Sequence, residues 1–309
     1  MSVARARPGR SSLHRALCAA LPWVGALLAG ACGGPGAGPG PSDRATSERR
    51  VADATGAWVR LPAEVRRVVT TVPGQTATVL ALGLGTLLVG VSDQDAKDGV
   101  VGSLPRLSVY PTISTEAVAA LQPDLLLVDE TLSHRDLEPL RRRFPGTFAT
   151  DSRSLRGLRE TFLRLGAALG RDLRAKRLAE ELDAAQAAAR VPGRPKVLLL
   201  SEADPQPYAL GPGALLDDMV RSVGAENVAW DLGRPSGQIS SEVVRERAPD
   251  WILLTGAPFS EAIRTAWASV PAVRHGRVRD IGADDYLQAG PGTAKALRRL
   301  ATILEGGDR

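Results

Sequence analysis

The stretch STEAVAALQPDLLLV (residues 114–128) returns as SSEVVRERAPDWILL (residues 240–254). Each copy opens on a hydroxyl residue suited to cap a helix, Ser114 or Ser240, because a short side-chain oxygen can accept from the free amides of the first turn. A glutamate follows two residues later, where negative charge favours the helix dipole. Each copy then turns through Pro-Asp, at Pro123-Asp124 or Pro249-Asp250, into an apolar run of strand length. A capped helix, a turn and a buried strand, occurring twice, imply two related lobes.

Working outward, the same alternation fills the chain. Around the first copy, a short strand precedes Pro62 and a buried strand covers Val65–Thr70. A helix is expected over Thr76–Leu84, ended by Gly85, then strands over Leu87–Val91 and Leu125–Val128 and a helix over Arg135–Arg143. Around the second come strands Lys196–Ser201, Trp251–Thr255 and Val278–Ile281, with helices over Ala214–Val223, Ser241–Glu246, Glu261–Trp267 and Pro291–Leu304. Strands alternating with helices predict parallel sheets covered on both faces. Between the lobes, Leu155, Leu158, Phe162, Leu165, Leu169, Leu173, Leu178 and Leu182 recur at helical spacing, with a break near Gly170. The predicted fold is α/β: two Rossmann-like lobes joined by one long rigid helix, with a ligand cleft between them. The boundaries are a first lobe at 51–169, a bridging helix at 170–190 and a second lobe at 191–309.

The first 50 residues read differently. Net charge over all 309 residues is +5, yet Arg5, Arg7, Arg10 and Arg15 lie in a start without acids. Without them the balance is 35 bases against 34 acids, which removes the electrostatic case for nucleic acid. A basic start, the short apolar run at 16–31 and small residues before a cut describe a signal peptide over 1–31. The run is too short to span a bilayer comfortably. Leu28-Ala29-Gly30-Ala31-Cys32 resembles the lipobox of bacterial lipoproteins, which makes Cys32 the lipidation site. Cys18, the other cysteine, lies inside the signal, so Cys32 has no disulfide partner after cleavage. The Gly/Pro-rich segment 32–50 is expected to be a flexible lipidated tether. The mature protein is expected on the exported side, periplasmic or at the cell surface, as a membrane-anchored monomer.

Val68-Val69-Thr70-Thr71-Val72-Pro73 followed by Ala81-Leu82-Gly83-Leu84-Gly85 resembles the opening of class III periplasmic binding proteins, the helical-backbone receptors of ABC importers for cobalamin, haem and iron–siderophores. Gly211-Pro212-Gly213, Gly224-Ala225-Glu226-Asn227-Val228-Ala229, and Pro271-Ala272-Val273 with His275-Gly276-Arg277-Val278 carry the resemblance onward, over about residues 53–304. It implies a receptor that captures cobalamin or a related corrinoid and delivers it to a permease with its ATPase, without covalent chemistry and without a cofactor of its own. It also implies that Glu116 and Glu242, one per lobe, dock on the permease. The competing expectations are an iron–siderophore or haem receptor of the same fold, and a lipoprotein hydrolase.

Cleft residues in such folds come from loops at the carboxyl ends of strands. The candidate ligand contacts are Tyr110, Tyr208, Trp230, Phe259, Asp284 and Tyr286, since loop aromatics suit a flat, large, apolar ligand. The loop Asp129–His134 is a further candidate wall. Asp284 matches a ligand-contacting aspartate of the cobalamin receptors, while the arginine of that pattern is Gln288 here and the family's P-S-A-T-E opening is Pro73-Gly74-Gln75-Thr76-Ala77. A bare metal site is not expected, because the mature chain holds only the histidines His134 and His275. The sequence also lacks Gly-x-Ser-x-Gly, His-Glu-x-x-His and P-loop patterns.

Overall fold

The computed structural model describes residues 48–307, except 97, 98, 133, 204 and 205, and leaves out the side chains of Val100, His134, Asp284 and Asp285. The signal peptide, Cys32 and nearly all of the tether lie outside the described residues. So does the side chain of the candidate Asp284.

The first lobe starts with a hairpin, β1 (Arg49–Ala52) and β2 (Trp58–Leu61), so the last two residues assigned to the tether are strand. Next come β3 (Val68–Thr70), α1 (Pro73–Ala81), β4 (Leu88–Ser92), β5 (Arg106–Leu107), α2 (Thr115–Ala120), β6 (Leu125–Asp129), α3 (His134–Arg143) and β7 (Thr147–Thr150). The five later strands form a parallel sheet in the order β5-β4-β3-β6-β7. Two helices follow, α4 (Leu155–Leu169) and α5 (Asp172–Ala188). The second lobe contains β8 (Lys196–Glu202), β9 (Tyr208–Leu210), α6 (Leu215–Ser222), β10 (Glu226–Asn227), β11 (Ser236–Gln238), α7 (Ser241–Arg247) and β12 (Trp251–Leu254). It closes with α8 (Glu261–Ala266), α9 (Pro271–Arg274), β13 (Val278–Asp280), α10 (Asp284–Leu287) and α11 (Thr293–Leu304). Its sheet runs β11-β9-β8-β12-β13, with β10 beside the start of β8.

Strand periodicity accounts for the layering. In β6, Leu125 and Leu127 enter one core cluster while Leu126 and Val128 enter another on the opposite face. In β8 and β12, Val197, Leu199, Trp251 and Leu253 face one way, and Leu198, Leu200, Ile252 and Leu254 the other. A strand apolar at every position is what a sheet covered on both sides requires.

The internal repeat holds at atomic detail. Ser114 Oγ accepts the Ala117 N–H, and Ser240 Oγ accepts the Val243 N–H. The residue before each proline, Gln122 or Ala248, sits in the left-handed region at φ 44° and 47°. The Asp124 carboxylate accepts the Arg66 and Arg67 N–H groups at 2.8 and 2.9 Å, and that of Asp250 accepts the Lys196 N–H at 2.8 Å. In both lobes the Pro-Asp turn therefore pins the start of the neighbouring strand.

Two expectations change. Helix α1 starts at Pro73, three residues earlier than expected, and is followed by Gly83 at φ +75° rather than ended by Gly85. Proline is pre-organised for the first helical position, and the Gln75 side chain accepts the Thr71 and Val72 N–H groups there. The bridge is also a pair of helices. Leu155, Leu158 and Phe162 of α4 join the second-lobe core, while Leu165, Ala168 and Leu169 join the first. In α5, Ala175 sits in the first core and Leu182 and Ala185 in the second. The two helices run antiparallel about Gly170 (φ +64°), with Arg159 bonded to Asp183 at 2.8 Å. A Cβ on Gly166 would stand 2.2 Å from the Ala175 Cβ, so glycine lets the helices touch. Helix α4, expected within the first lobe, thus crosses both cores beside the 170–190 rod, because its apolar stripe is long enough to serve two partners.

Candidate functional site

All strands of the first sheet are parallel, so β3, β4, β6 and β7 end on one side of the lobe. Their following loops, together with α4 and the segment after α10, enclose a cavity of about 260 Å³ open to solvent. The first lobe contributes Gln75, Gln94, Asp129, Thr131, Asp151 and Ser152, among others. Helix α4 contributes Leu158 and Thr161, and the second lobe contributes Leu287, Gln288 and Ala289. Ligands of open α/β sheets gather at such strand ends.

The walls are tied down. Gln75 Nε2 donates to Thr150 Oγ1 at 3.0 Å, linking the start of α1 to the end of β7. Asp129 Oδ1 accepts the Thr131 N–H at 2.9 Å, and Asp151 Oδ1 accepts the Arg153 N–H at 2.8 Å. Both are turn-forming side-chain bonds that fix the loop backbone. Where the lobes meet, a Cβ on Gly74 would come within 2.1 Å of the Ala289 carbonyl oxygen. Only glycine allows α1 to rest directly on the second-lobe backbone. Asp218 of α6 accepts the Leu155 N–H at 2.9 Å, seating the start of α4 on the second lobe.

Charge is uneven around the cavity. Beside it, Glu130 pairs with Arg153. Burial pushes the Glu130 carboxyl above its usual range, and the neighbouring Asp151 and Asp129 add to this while Arg153 opposes it. Burial likewise pushes Asp95 upward, in the loop after β4.

The sequence-derived contacts distribute unevenly. Tyr110 is largely exposed just beyond β5, and Tyr208 is half-buried at the start of β9 opposite Glu202. These two sit at the cleft-side ends of their sheets. Tyr286 does not face the cleft: it is fully enclosed in the second-lobe core. Phe259 packs on that lobe's outer cluster, 6.0 Å from Trp267 between ring centroids, with Arg264 over its face. Trp230 lines a separate pocket with Arg194, Pro212, Asp217 and Arg221, near the start of β8, and carries Arg247 over its ring at 5.5 Å. In each case the ring fills a packing gap or stacks under a guanidinium, and composition alone does not separate those roles from ligand contact. Gln94, Thr150, Asp151, Ser152 and Thr161 were not anticipated. The signal available was position, since all but Thr161 follow or end a strand.

Glu116 and Glu242 stand in the first turns of α2 and α7, both largely exposed. Each is held below the usual carboxylate range, first by its own backbone N–H, then by Thr115 and Arg143 in one lobe and by Ser240 and Arg245 in the other. The two lobes therefore present equivalent capped, arginine-flanked carboxylates.

Comparison with known proteins agrees with this architecture. The uncharacterized ABC transporter substrate-binding lipoprotein YvrC of Bacillus subtilis is 25% identical over 310 residues, covering 93% of this chain and 95% of its own. A vitamin B12-binding protein of Pectobacterium carotovorum is 26% identical over 246 residues, covering 77% of this chain and 88% of its own. Among solved structures, the periplasmic heme-binding protein RhuT from Roseiflexus is similar with a TM-score of 0.69 and 26% identity, over 79% of this chain and 99% of its own. The family profile described as periplasmic binding protein matches residues 68–284. With its two covered sheets, its helix pair and its inter-lobe cavity, this chain belongs to the periplasmic binding protein family and is a solute-binding protein, not an enzyme.

Proposed function

We propose that this protein is the substrate-binding lipoprotein of an ABC importer, capturing cobalamin or a related corrinoid and delivering it to the permease and its ATPase. The observation that carries the reading is the cavity walled by both lobes at the strand ends, in a chain whose two lobes each present one exposed glutamate in a serine-capped first helical turn. At about 260 Å³ the enclosed space is small beside the usual ~300–1,000 Å³ of ligand pockets. It suits the edge of a bulky chelate, with the remainder lying toward Tyr110, Tyr208 and the segment that starts at Asp284. The vitamin B12-binding relatives support the corrinoid reading. A haem or iron–siderophore ligand is the second reading, favoured by the similarity to the heme-binding RhuT.

In this reading Glu116 and Glu242 meet cationic pockets on the permease. Rim charges of this kind steer encounter and fix orientation more than they add affinity. Cys32 carries the lipid anchor and 32–47 the tether, which the lipoprotein name of YvrC supports. Two helices crossing both cores favour small lobe movements on binding over wide hinge closure.

Spectral titration of the purified protein with cyanocobalamin, haemin and a ferric hydroxamate siderophore tests the ligand class. Tightest binding of cyanocobalamin is expected, and a preference for haemin or the siderophore transfers the assignment to the second reading. The double variant Glu116→Ala/Glu242→Ala is expected to bind ligand normally but to lower uptake about tenfold. Unchanged uptake would remove the docking role.

A further inference from the structure

The inner cavity carries two carboxylates, Asp129 and Asp151, and among the described residues no lysine, arginine or histidine lines it. Its other polar walls are neutral: Gln75, Gln94, Thr131, Ser152 and Gln288 are examples. Asp129 is only 8% exposed, so its charge acts in a partly water-excluded space where Coulomb interactions are stronger than in bulk. Guanidiniums on the flanking segments are committed elsewhere: Arg153 pairs with Glu130, and Arg106 donates to the Asp95 and Ala96 carbonyls. Among the described residues lining the cavity, none offers an anion the paired, charge-assisted bonds that arginine gives a carboxylate or phosphate.

We infer that the cavity selects by charge: it takes a neutral or cationic chelate whose edge presents hydrogen-bond donors such as amides, and it rejects one presenting carboxylates. Asp129 and Asp151 are the specificity-determining residues. They accept hydrogen bonds from a donor-bearing edge and repel an anionic one. The inference rests on the receptor reading above and narrows its substrate class by chemistry rather than by size.

A matched pair of probes isolates the charge. Haemin carries two peripheral carboxylates, and its bis-amide keeps the same macrocycle with neutral donors in their place. The bis-amide is expected to bind the purified protein roughly tenfold more tightly than haemin. In Asp129→Asn/Asp151→Asn the gap is expected to shrink to about twofold, chiefly because haemin binds better. Should that variant fail to fold, raising salt from about 0.05 M to about 1 M on the unaltered protein is expected to narrow the same gap by screening. Haemin binding as tightly as the bis-amide would overturn the charge selection while leaving the receptor reading intact. A gap that survives both neutralisation and salt would overturn it too. Absence of binding by both porphyrins, by cyanocobalamin and by the ferric hydroxamate siderophore would overturn the receptor reading, and this inference with it.

Discussion

The first lobe supplies the cavity with most of its polar walls, whereas the second supplies little more than Leu287, Gln288 and Ala289. Yet the two lobes are built from one unit. Both cap a helix with serine, both turn through a left-handed residue before Pro-Asp, and both pin a neighbouring strand with that aspartate. The repeated segments carry the architecture, and the unrepeated loops after the strands carry recognition. The lobes differ as well in how their extra parts are fastened, which gives the largest testable contrast. In the first lobe, fully buried Asp53 accepts from Thr55, Ala57 and Ala149 and pairs with Arg141 at 2.5 Å, holding the β1–β2 hairpin to the sheet. In the second, Asp217 accepts from Asn227 at 2.8 Å and pairs with Arg221, whose side chain is 58% exposed. Breaking a buried pair from one side is costly, so Asp53→Ala is expected to lose about 3 kcal/mol of unfolding free energy. Asp217→Ala, with a partner that solvent can serve, is expected to lose about 1.5 kcal/mol. Urea midpoints measure both, and equal losses would break the contrast.

The contact between the lobes comes next in size. The obstacle to a side chain at Gly74 is the backbone of Ala289, which cannot swing aside as a long side chain would. Gly74→Ala is expected to destabilise by about 1–3 kcal/mol, as overpacking does, and to weaken ligand binding because the cavity wall shifts with it. Gly56, with nothing within 4 Å of its added Cβ, has φ +80°. Gly56→Ala therefore measures backbone strain alone and is expected to leave ligand affinity unchanged. A Gly74→Ala protein with normal affinity would mean that the lobe contact does not set the cavity.

These contrasts show where the sequence was readable. Serine caps, Pro-Asp turns and fully apolar strands each leave a local pattern, so the two α/β lobes and the break at Gly170 could be placed without coordinates. Helix periodicity specifies an apolar face but not its partner, so the crossing of α4 through both cores was hidden. Short strands such as β5, β9, β10 and β11 bury too few residues to make a pattern. The cavity was legible only in part. Asp129 and Thr131 fall in an anticipated loop, while Thr150, Asp151 and Ser152 are polar residues with no periodic signature. Aromatic residues misled, because a ring that fills a core, as Tyr286 does, cannot be told by composition from one that stacks on a ligand.

A smaller effect separates the two lobes' exposed rings. Trp230 belongs to a pocket sharing none of the cavity's lining residues, whereas Tyr110 lies at the cleft-side end of the first sheet. Tyr110→Ala is expected to weaken chelate binding about fivefold, within the ~1–3 kcal/mol that a stacked aromatic supplies in comparable stacking contacts. Trp230→Ala is expected to change it less than about twofold. The reverse order would move the ligand site to the far end of the second lobe.

The smallest effect is a matter of pH, and its sign differs between carboxylates. Glu130 sits by the cavity with its carboxyl raised by burial. Above the ordinary glutamate value of 4.5 the folded protein still holds that proton while the unfolded chain has released it. The folded state then binds more protons, so stability falls as pH rises through this window. Glu116 and Glu242 are lowered instead. Their contribution is present above the ordinary value and is lost as pH falls below it, and full solvent exposure keeps it slight. Glu130→Gln is therefore expected to gain stability relative to the parent as pH rises from about 4 to about 7. Glu116→Gln is expected to fall slightly behind the parent over the same range. Urea unfolding at several pH values reads both differences. A Glu130→Gln protein that loses ground as pH rises would mean that the pair with Arg153 outweighs burial, and that the first lobe's carboxylates are compensated after all.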